Sequence, residues 1–213
     1  MARIAVIGGT GFAGRNIVEE GVRRGHEVLA VSRSLAPERV EGATYVEGSI
    51  LDLPGLLAQI EGADAVVVAI APRGDMAEKA VPAVVALAFE LVGTGARLGV
   101  VGGAGGSLSA PGGPRLFDLD FPEEYKAEAQ TGIDILDALE NSPADLDWFF
   151  VHPAETFGAW NAGERTGSYR DGGDVVVRDE EGVSYISGAD LGVAFLDEIE
   201  APKHHRERFT VGY

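Results

Sequence analysis

Short apolar stretches alternate with amphipathic stretches through the first two-thirds of the chain. Residues 4–7, 27–32 and 63–70 are rich in Val, Ile, Leu and Ala, as is typical of strands buried on both faces of a parallel sheet. The stretches between them repeat apolar residues at helical spacing. This alternation predicts an α/β fold with a doubly wound parallel sheet that helices cover on both faces.

The same pattern places the individual elements. Further strands are predicted at residues 44–48, 97–101, 147–151 and 208–211, with two small ones at 175–178 and 183–186. Helices are predicted from about Phe12 and over about 53–60, 76–92, 122–140 and 189–200. Residues 110–122 are rich in Pro and Gly, which predicts a long loop, while residues 154–173 are rich in Gly and aromatic residues, which favours loops and short strands.

Composition limits the range of architectures. A chain of 213 residues with 46% hydrophobic content suits one α/β domain over residues 1–213, in which about 154–213 would form a substrate-side lobe. There are no cysteines, which excludes disulfides, thiolate metal sites and cysteine nucleophiles. The longest apolar run, residues 80–89, is far shorter than the roughly 20 residues that cross a bilayer. We expect a cytoplasmic protein without a signal peptide, a membrane partner or a metal site.

The net charge of −17 argues against nucleic acid as a partner, because phosphates require a basic surface. The charge is uneven along the chain. Residues 1–40 hold six arginines against four glutamates, a net charge of +2, which leaves −19 for the remainder. The only basic part of the chain therefore coincides with its first glycine-rich segment.

That segment follows the first predicted strand as Gly9-x-Gly11-x-x-Gly14 and also as Gly8-x-x-Gly11-x-x-Gly14. Glycines allow the turn to adopt positive φ and the backbone to approach a pyrophosphate, while the following helix points its free N–H groups at the phosphates. A strand, this loop, a helix and a second strand form a βαβ unit of the expected length. The predicted dinucleotide contacts here are Gly8, Gly9, Thr10, Gly11, Phe12, Ala13 and Gly14.

The end of the second strand indicates which dinucleotide binds. NAD-binding folds commonly place Asp or Glu there for the ribose hydroxyls, whereas Arg accommodates a 2′-phosphate. Here the sequence reads Ser32-Arg33-Ser34, and a guanidinium with neighbouring hydroxyls suits a phosphate. NADP(H) is therefore preferred over NAD(H), with Ser32 and Arg33 as ligands; the alternative is that Arg33 only stacks on the adenine.

Other predicted cofactor contacts follow the remaining strands, because ligands of such sheets lie beyond the carboxyl ends of the strands. These positions are Ser49, Ile50, Ala69, Ile70, Ala71, Pro72, Gly102, Gly103, His152 and Pro153.

With these residues in place, the chain resembles the atypical short-chain dehydrogenase/reductase superfamily. Within it, the chain is similar to the small NAD(P)H-binding group of proposed NADH-flavin reductases with epimerase/dehydratase-like sequences. More distant similarity is to flavin/biliverdin-IXβ reductases and NADP-sensing nitrogen-metabolite repressors. The resemblance covers nearly the whole chain and rests on four segments, residues 8–14, 100–108, 121–125 and 202–213. It implies that the glycine loop and Arg33 hold the cofactor and that the loops after strands five and six flank the nicotinamide.

One departure from that superfamily concerns catalysis. Typical members use a Tyr-x-x-x-Lys pair, in which the Lys lowers the pKa of the Tyr so that the phenol passes a proton to a carbonyl oxygen. Here Tyr125 is followed four residues later by Ala129, and Lys126 is adjacent to it. The frequent acid after Gly48 is also replaced by Ser49. Because flavin reduction needs no pre-positioned acid, the sequence favours hydride transfer to a planar acceptor.

Several side chains are candidates for the acceptor end of the site. Ser107, at the end of strand five, would bond the substrate or nicotinamide, or would only cap a loop. Tyr125 would close the cleft or donate a proton, or would only pack its ring. His152 would titrate beside the nicotinamide, or would brace a turn. Trp160 would stack on a planar substrate. His204 and His205, in a charged segment, read as surface residues.

The sequence thus predicts an NADP(H)-dependent reductase that passes hydride to a flavin or another planar small molecule. A non-catalytic NADP(H) sensor that signals through a partner is the main alternative, and a nucleotide-sugar epimerase or dehydratase is a third. The oligomeric state stays open.

Overall fold

A computed structural model describes residues 1–35 and 38–213 of the chain. It contains a sheet of eight strands, seven of which run parallel. The strands are β1 (Arg3–Ile7), β2 (Glu27–Ser32), β3 (Thr44–Glu47), β4 (Ala65–Val68), β5 (Arg97–Val101), β6 (Trp148–His152), β7 (Arg170–Asp171) and β8 (Glu207–Gly212). The helices are α1 (Phe12–Arg23), α2 (Leu53–Ile60), α3 (Ala80–Leu91), α4 (Glu123–Glu140) and α5 (Gly188–Glu200).

The strand order is β3-β2-β1-β4-β5-β6-β8-β7. The chain therefore winds outward in one direction from β1 to β3 and in the other from β4 onward. The point of reversal lies between β1 and β4, where the loops after the two strands diverge and leave a crevice. Among the eight strands that the structure describes, only β7 pairs antiparallel, along the outer edge of β8. The predicted doubly wound α/β fold is confirmed.

Two hydrophobic layers enclose this sheet. Side chains from alternate positions of the central strands point to opposite faces, so that Ala5 and Ile7 join one layer while Ile4 and Val6 join the other. Helices α2, α3 and α4 cover the first face, and α1 and α5 cover the second. Both faces are buried, which explains why the central strands are almost continuously apolar.

The region after β6 divides into two parts. Helix α5 packs over the sheet, and β8 pairs with β6 in parallel, so these two elements belong to the main architecture. Residues 154–187 lie outside these two elements, and the substrate-side lobe stays a prediction. No helix among the described residues is long and apolar enough to span a bilayer; the cytoplasmic location stays a prediction.

The strands predicted at 175–178 and 183–186 were wrong. Val175 forms only an isolated bridge with Leu108, and the following residues fold into a turn. The Asp179 carboxylate accepts the backbone N–H of Val183 at 2.8 Å, and the N–H of Asp179 donates to the carbonyl oxygen of Val183 at 2.9 Å, which closes this turn. The helix predicted from residue 76 also begins later, at Ala80, after a short turn at Gly74–Met76.

A buried ion cluster joins β5 to α5. Arg97 is buried, with its Nε 3.0 Å from Asp147 and its Nη2 2.8 Å from Glu198. Its guanidinium also lies 4.7 Å from the ring centre of Phe149. Buried charges require such partners, because desolvation of an isolated ion is costly.

The same cluster overturns one prediction, that His204 is a surface residue. Its side chain is only 14% exposed, and its Nδ1 lies 2.8 Å from the buried carboxylate of Glu198. Its ring stacks on Phe209 at 4.0 Å between centres. The charged residues around His204 suggested that it is exposed to solvent. However, the chain turns into β8 just after it, which places this residue against the core. His205 is exposed, as predicted.

Candidate functional site

The glycine loop connects β1 to α1 at the carboxyl edge of the sheet. Gly8 has a φ of +87°, and a Cβ there would lie 2.5 Å from the carbonyl oxygen of Ala69. A Cβ on Gly14 would collide with the carbonyl oxygen of Gly8. The loop therefore tolerates no side chain at Gly8 or Gly14, and the backbones after β1 and β4 meet at the predicted crevice.

The first turn of α1 offers free N–H donors beside this loop. Gly11 caps the helix with extended backbone and no side-chain hydrogen bond, and the first turn contains no acidic residue. Unpaired N–H groups and the positive end of the helix dipole form an anion site. Thr10, Phe12 and Ala13 lie in or beside this turn. The loop thus fits the pyrophosphate of a dinucleotide.

The end of β2 lies beside the glycine loop, since Gly8 and Gly9 donate their N–H groups to the carbonyl oxygen of Val31. The buried hydroxyl of Ser32 donates to the carbonyl oxygen of Ser34 at 2.8 Å, so it is engaged within its own turn. The side chain of Arg33 is 65% exposed, with Nη1 3.8 Å from Asp75. Its guanidinium is therefore accessible to an anion.

The loops after β3 and β4 contribute mainly backbone. The hydroxyl of Ser49 accepts the N–H of Leu51 at 3.2 Å, and Ile50 is buried in the core. Ala69 donates its N–H to Ile7 at 2.8 Å, which fixes it beside the glycine loop. Ile70 and Pro72 are partly exposed, and Ala71 is exposed.

The loop after β5 packs closely against β6. A Cβ on Gly102 would collide with the ring of Phe150, whereas Gly103 has open space around its α-carbon. The carbonyl oxygen of Gly103 lies 2.7 Å from Nδ1 of His152. The predicted contacts after β5 and β6 are thus neighbours, and Pro153 is buried beside them.

Two predicted catalytic atoms lie beneath this loop. Ser107 and His152 are both buried, and within residues 1–35 and 38–213 neither Ser107 Oγ nor His152 Nε2 has a hydrogen-bond partner. Gly106 covers the imidazole, since a Cβ there would collide with the ring. A ligand would reach either atom only if the loop moved. Their catalytic roles stay predictions.

Burial sets the protonation state of His152. Desolvation lowers its pKa to about 4, and nearby Arg208 and Arg115 act in the same direction, although the carbonyl of Gly103 opposes them. The ring is therefore neutral near pH 7. A proton on Nδ1 would be donated to Gly103, which leaves Nε2 as a hydrogen-bond acceptor.

We expect acid to destabilise the protein through His152. Its folded pKa of about 4 is below the ordinary value of 6.5, so the unfolded chain binds the proton more readily. The free energy of unfolding should fall as the pH drops from 6.5 toward 4, by up to about 3 kcal/mol at about 1.4 kcal/mol per unit. Urea denaturation over this range measures how the free energy of unfolding depends on pH. In His152→Gln, the loss between pH 6.5 and 4 should be smaller by this amount. Equal slopes for the two proteins would assign the effect to other groups.

Two aromatic side chains near this edge are exposed. Tyr125, in the first turn of α4, is 54% exposed, and Trp160, in the segment after β6, is 75% exposed. That segment is fixed to the glycine loop, because the rings of Phe12 and Phe157 lie 5.2 Å apart. Both aromatic side chains are accessible to a planar molecule.

Sequence reasoning missed the charged partners of two arginines near the glycine loop. Arg15 follows the last glycine of the motif, and its Nη1 lies 3.8 Å from Glu38. Asp75 approaches Arg33 from the loop after β4. The position of Arg15 directly after the motif was a usable signal, but the two acids come from segments whose approach only the fold reveals.

A separate groove of about 670 Å³ lies between α4 and β8 and includes Trp148 and Arg206 in its lining. Arg206 donates to the carbonyl oxygens of Pro143 and Leu146 at 2.6 and 2.9 Å. Its guanidinium therefore satisfies the carbonyls that follow α4, and we assign this groove a structural role.

Comparison with known proteins agrees with the geometry. The model of the NAD(P)H-binding family matches residues 8–200. The uncharacterized protein YwnB of Bacillus subtilis is 38% identical over 98% of this chain and 97% of its own length.

Solved structures give the same result. SP1627 of Streptococcus pneumoniae, a proposed NADH-flavin reductase, superposes with a TM-score of 0.90 at 36% identity over 100% of this chain and 99% of that one. A proposed epimerase of Bacteroides thetaiotaomicron gives a TM-score of 0.87 at 34% identity over 100% and 97%. The chain therefore belongs to the NAD(P)H-binding family, in agreement with the resemblance to atypical short-chain dehydrogenases/reductases.

Proposed function

We propose that this protein is an NADP(H)-dependent oxidoreductase that passes hydride to a flavin or another planar small molecule. The family and the glycine loop support nicotinamide cofactor binding. The name of the Streptococcus protein, a proposed NADH-flavin reductase, supports the acceptor class. The accessible guanidinium of Arg33, at the end of β2 where an acid would favour NAD(H), supports the 2′-phosphate preference.

One observation carries the choice of reaction. The position four residues after Tyr125 is Ala129, and its Cβ faces Gly105 of the strand-five loop, where an added glycine Cβ would be only 3.0 Å away. The chain therefore has no Tyr-x-x-x-Lys acid on α4, and Ser107 and His152 are covered. An acceptor whose reduction requires no protein acid suits this site best.

The residues of the site would hold the cofactor and the acceptor in place and exclude water from them. When bound, a reduced nicotinamide supplies the hydride. The first turn of α1 would hold the pyrophosphate, and the strand-five loop would shield one side of the crevice from water. Trp160 would offer a ring face to the acceptor, because planar molecules stack favourably on exposed indole. Proton transfer would come from solvent or from the acceptor itself.

The direct test mixes the purified protein with NADPH and either FMN or riboflavin and follows the absorbance of the reduced nicotinamide. Oxidation that depends on both protein and flavin supports the reductase. Tight NADPH binding without oxidation by any flavin or quinone would favour the NADP(H) sensor and sink the catalytic proposal.

Arg33→Ala tests the cofactor preference. We expect it to weaken NADPH binding by about tenfold to a hundredfold and to change NADH binding by less than about twofold, because only NADPH carries the charged phosphate. Quenching of protein fluorescence on titration measures both affinities. Arg3→Ala is the matched control, since Arg3 begins β1 at the opposite edge of the sheet and its Nε lies 3.4 Å from the exposed Glu27. Equal losses for the two cofactors would exclude the 2′-phosphate role.

A further inference from the structure

Arg15 lies on the helix turn that follows the glycine loop. Its Nε lies 2.9 Å from Glu19, one turn further along α1, while its Nη1 lies 3.8 Å from Glu38. Glu19 therefore fixes the orientation of the guanidinium, whose Nη1 is directed toward Glu38.

Arg33 has an equivalent arrangement on the same segment, five residues before Glu38. Its Nη1 lies 3.8 Å from Asp75, which belongs to the loop after β4. Two arginines thus flank the exit of β2, one from the helix and one from the strand. Each has a carboxylate at the outer limit of an ion pair.

These two contacts are weak. The side chains of Glu38 and Asp75 are 86% and 87% exposed, and exposed pairs typically contribute about 0–1 kcal/mol. A phosphate dianion would make shorter, charge-assisted bonds to the same guanidinium forks. The acids are therefore easily displaced by a phosphate and also compete with it.

We infer that Arg15 is a second ligand of the 2′-phosphate and that Glu38 and Asp75 occupy the two arginines until that phosphate replaces them. This inference rests on the proposed NADP(H) preference and adds a specificity device to it. The competing carboxylates lower the affinity for NADP(H) while leaving that for NAD(H) unaffected, so they set how strongly the protein discriminates between the two.

The test uses two probes that differ only in the 2′-phosphate, adenosine 2′,5′-bisphosphate and adenosine 5′-monophosphate. Isothermal titration calorimetry on the full chain measures their affinities without any redox reaction. Arg15→Ala should weaken the affinity for the bisphosphate by about tenfold and change the affinity for the monophosphate by less than about twofold. Glu38→Gln and Asp75→Asn should each raise the affinity for the bisphosphate by about twofold to fivefold.

Glu90→Gln is the matched control, an exposed acid near the carboxyl end of α3 and so at the opposite edge of the sheet. It should leave both affinities unchanged apart from a small long-range effect of charge. An unchanged bisphosphate affinity in Arg15→Ala, or a weaker one in Glu38→Gln, would overturn the inference. If Arg33→Ala alone discriminates between the probes, the inference fails while the NADP(H) proposal stands. If Arg33→Ala does not discriminate either, the NADP(H) proposal fails.

Discussion

Replacing Gly14 with alanine is expected to abolish measurable dinucleotide binding and to destabilise the fold. The added Cβ would collide with the carbonyl oxygen of Gly8 and approach the α-carbon of Gly9. Neither atom can move away as a flexible side chain would, because both belong to the backbone of the loop. The first turn of α1 must shift, and with it the N–H groups that would face the pyrophosphate.

The expected size follows from the kind of contact. Overpacking of a tight site typically costs about 1–3 kcal/mol, which urea denaturation would measure as a loss in the free energy of unfolding. Loss of the aligned donors should weaken NADPH and NADH alike by more than about a hundredfold in a fluorescence titration. A variant that binds either cofactor normally would show that this loop does not form the pyrophosphate site.

Gly132 provides the matched control. It also lies inside a helix, α4, but a Cβ there would meet no atom within 4 Å. Gly132→Ala should therefore stabilise the protein by about 0.5–1 kcal/mol through helix propensity and leave cofactor affinity unchanged. If Gly→Ala lowers the free energy of unfolding at position 14 and raises it at position 132, the loss at Gly14 comes from the loop contact and not from helix formation.

Replacing Arg97 with methionine is expected to produce the largest loss of stability, about 3–5 kcal/mol, the usual cost of removing one partner from a buried ion pair. Glu198 would keep its charge in a buried position without the guanidinium 2.8 Å away. The carbonyl oxygen of Glu198, which accepts from Arg97 at 2.6 Å, would also lose its donor. Urea denaturation measures this change.

A second variant separates charge from packing. Glu198→Gln in the Arg97→Met background removes the carboxylate that has lost its guanidinium partner, so the double variant should lose less stability than the two single changes summed. Arg97 lies at the amino end of β5, remote from the glycine loop. The variant should therefore retain NADPH affinity wherever it is folded. A loss below about 1 kcal/mol would show that the cluster contributes little net stability.

Acid should also lower the stability of the fold through this cluster, as it does through His152. The hydrogen bonds from His204 and Lys203 and the Arg97 pair hold the pKa of Glu198 below its ordinary value of 4.5, although burial opposes them. A carboxyl group with a depressed pKa stabilises the fold above pH 4.5 and loses that contribution as the pH falls further.

The sequence by itself determined the alternation of buried strands and helices and the glycine loop between β1 and α1. Each of these depends on residues adjacent in the chain or one helical turn apart. A buried parallel strand must be apolar throughout, and a loop whose backbone packs on itself must be glycine. The carboxyl-edge positions followed as well, since all parallel strands end at one edge. The prediction of small strands at 175–178 and 183–186 was wrong because the alternation of apolar and polar residues does not reveal whether a partner strand is available.

Only the tertiary structure decided which charges meet and which atoms are accessible. Glu38 and Asp75 reach the arginines from loops distant in sequence, and Arg97 gains partners from α5 and from His204, just before β8, about a hundred residues away. Ser107 and His152 stand where a catalyst was expected, yet the strand-five loop covers both. Long-range ion pairs and burial depend on how separate segments pack, and no local pattern records that geometry.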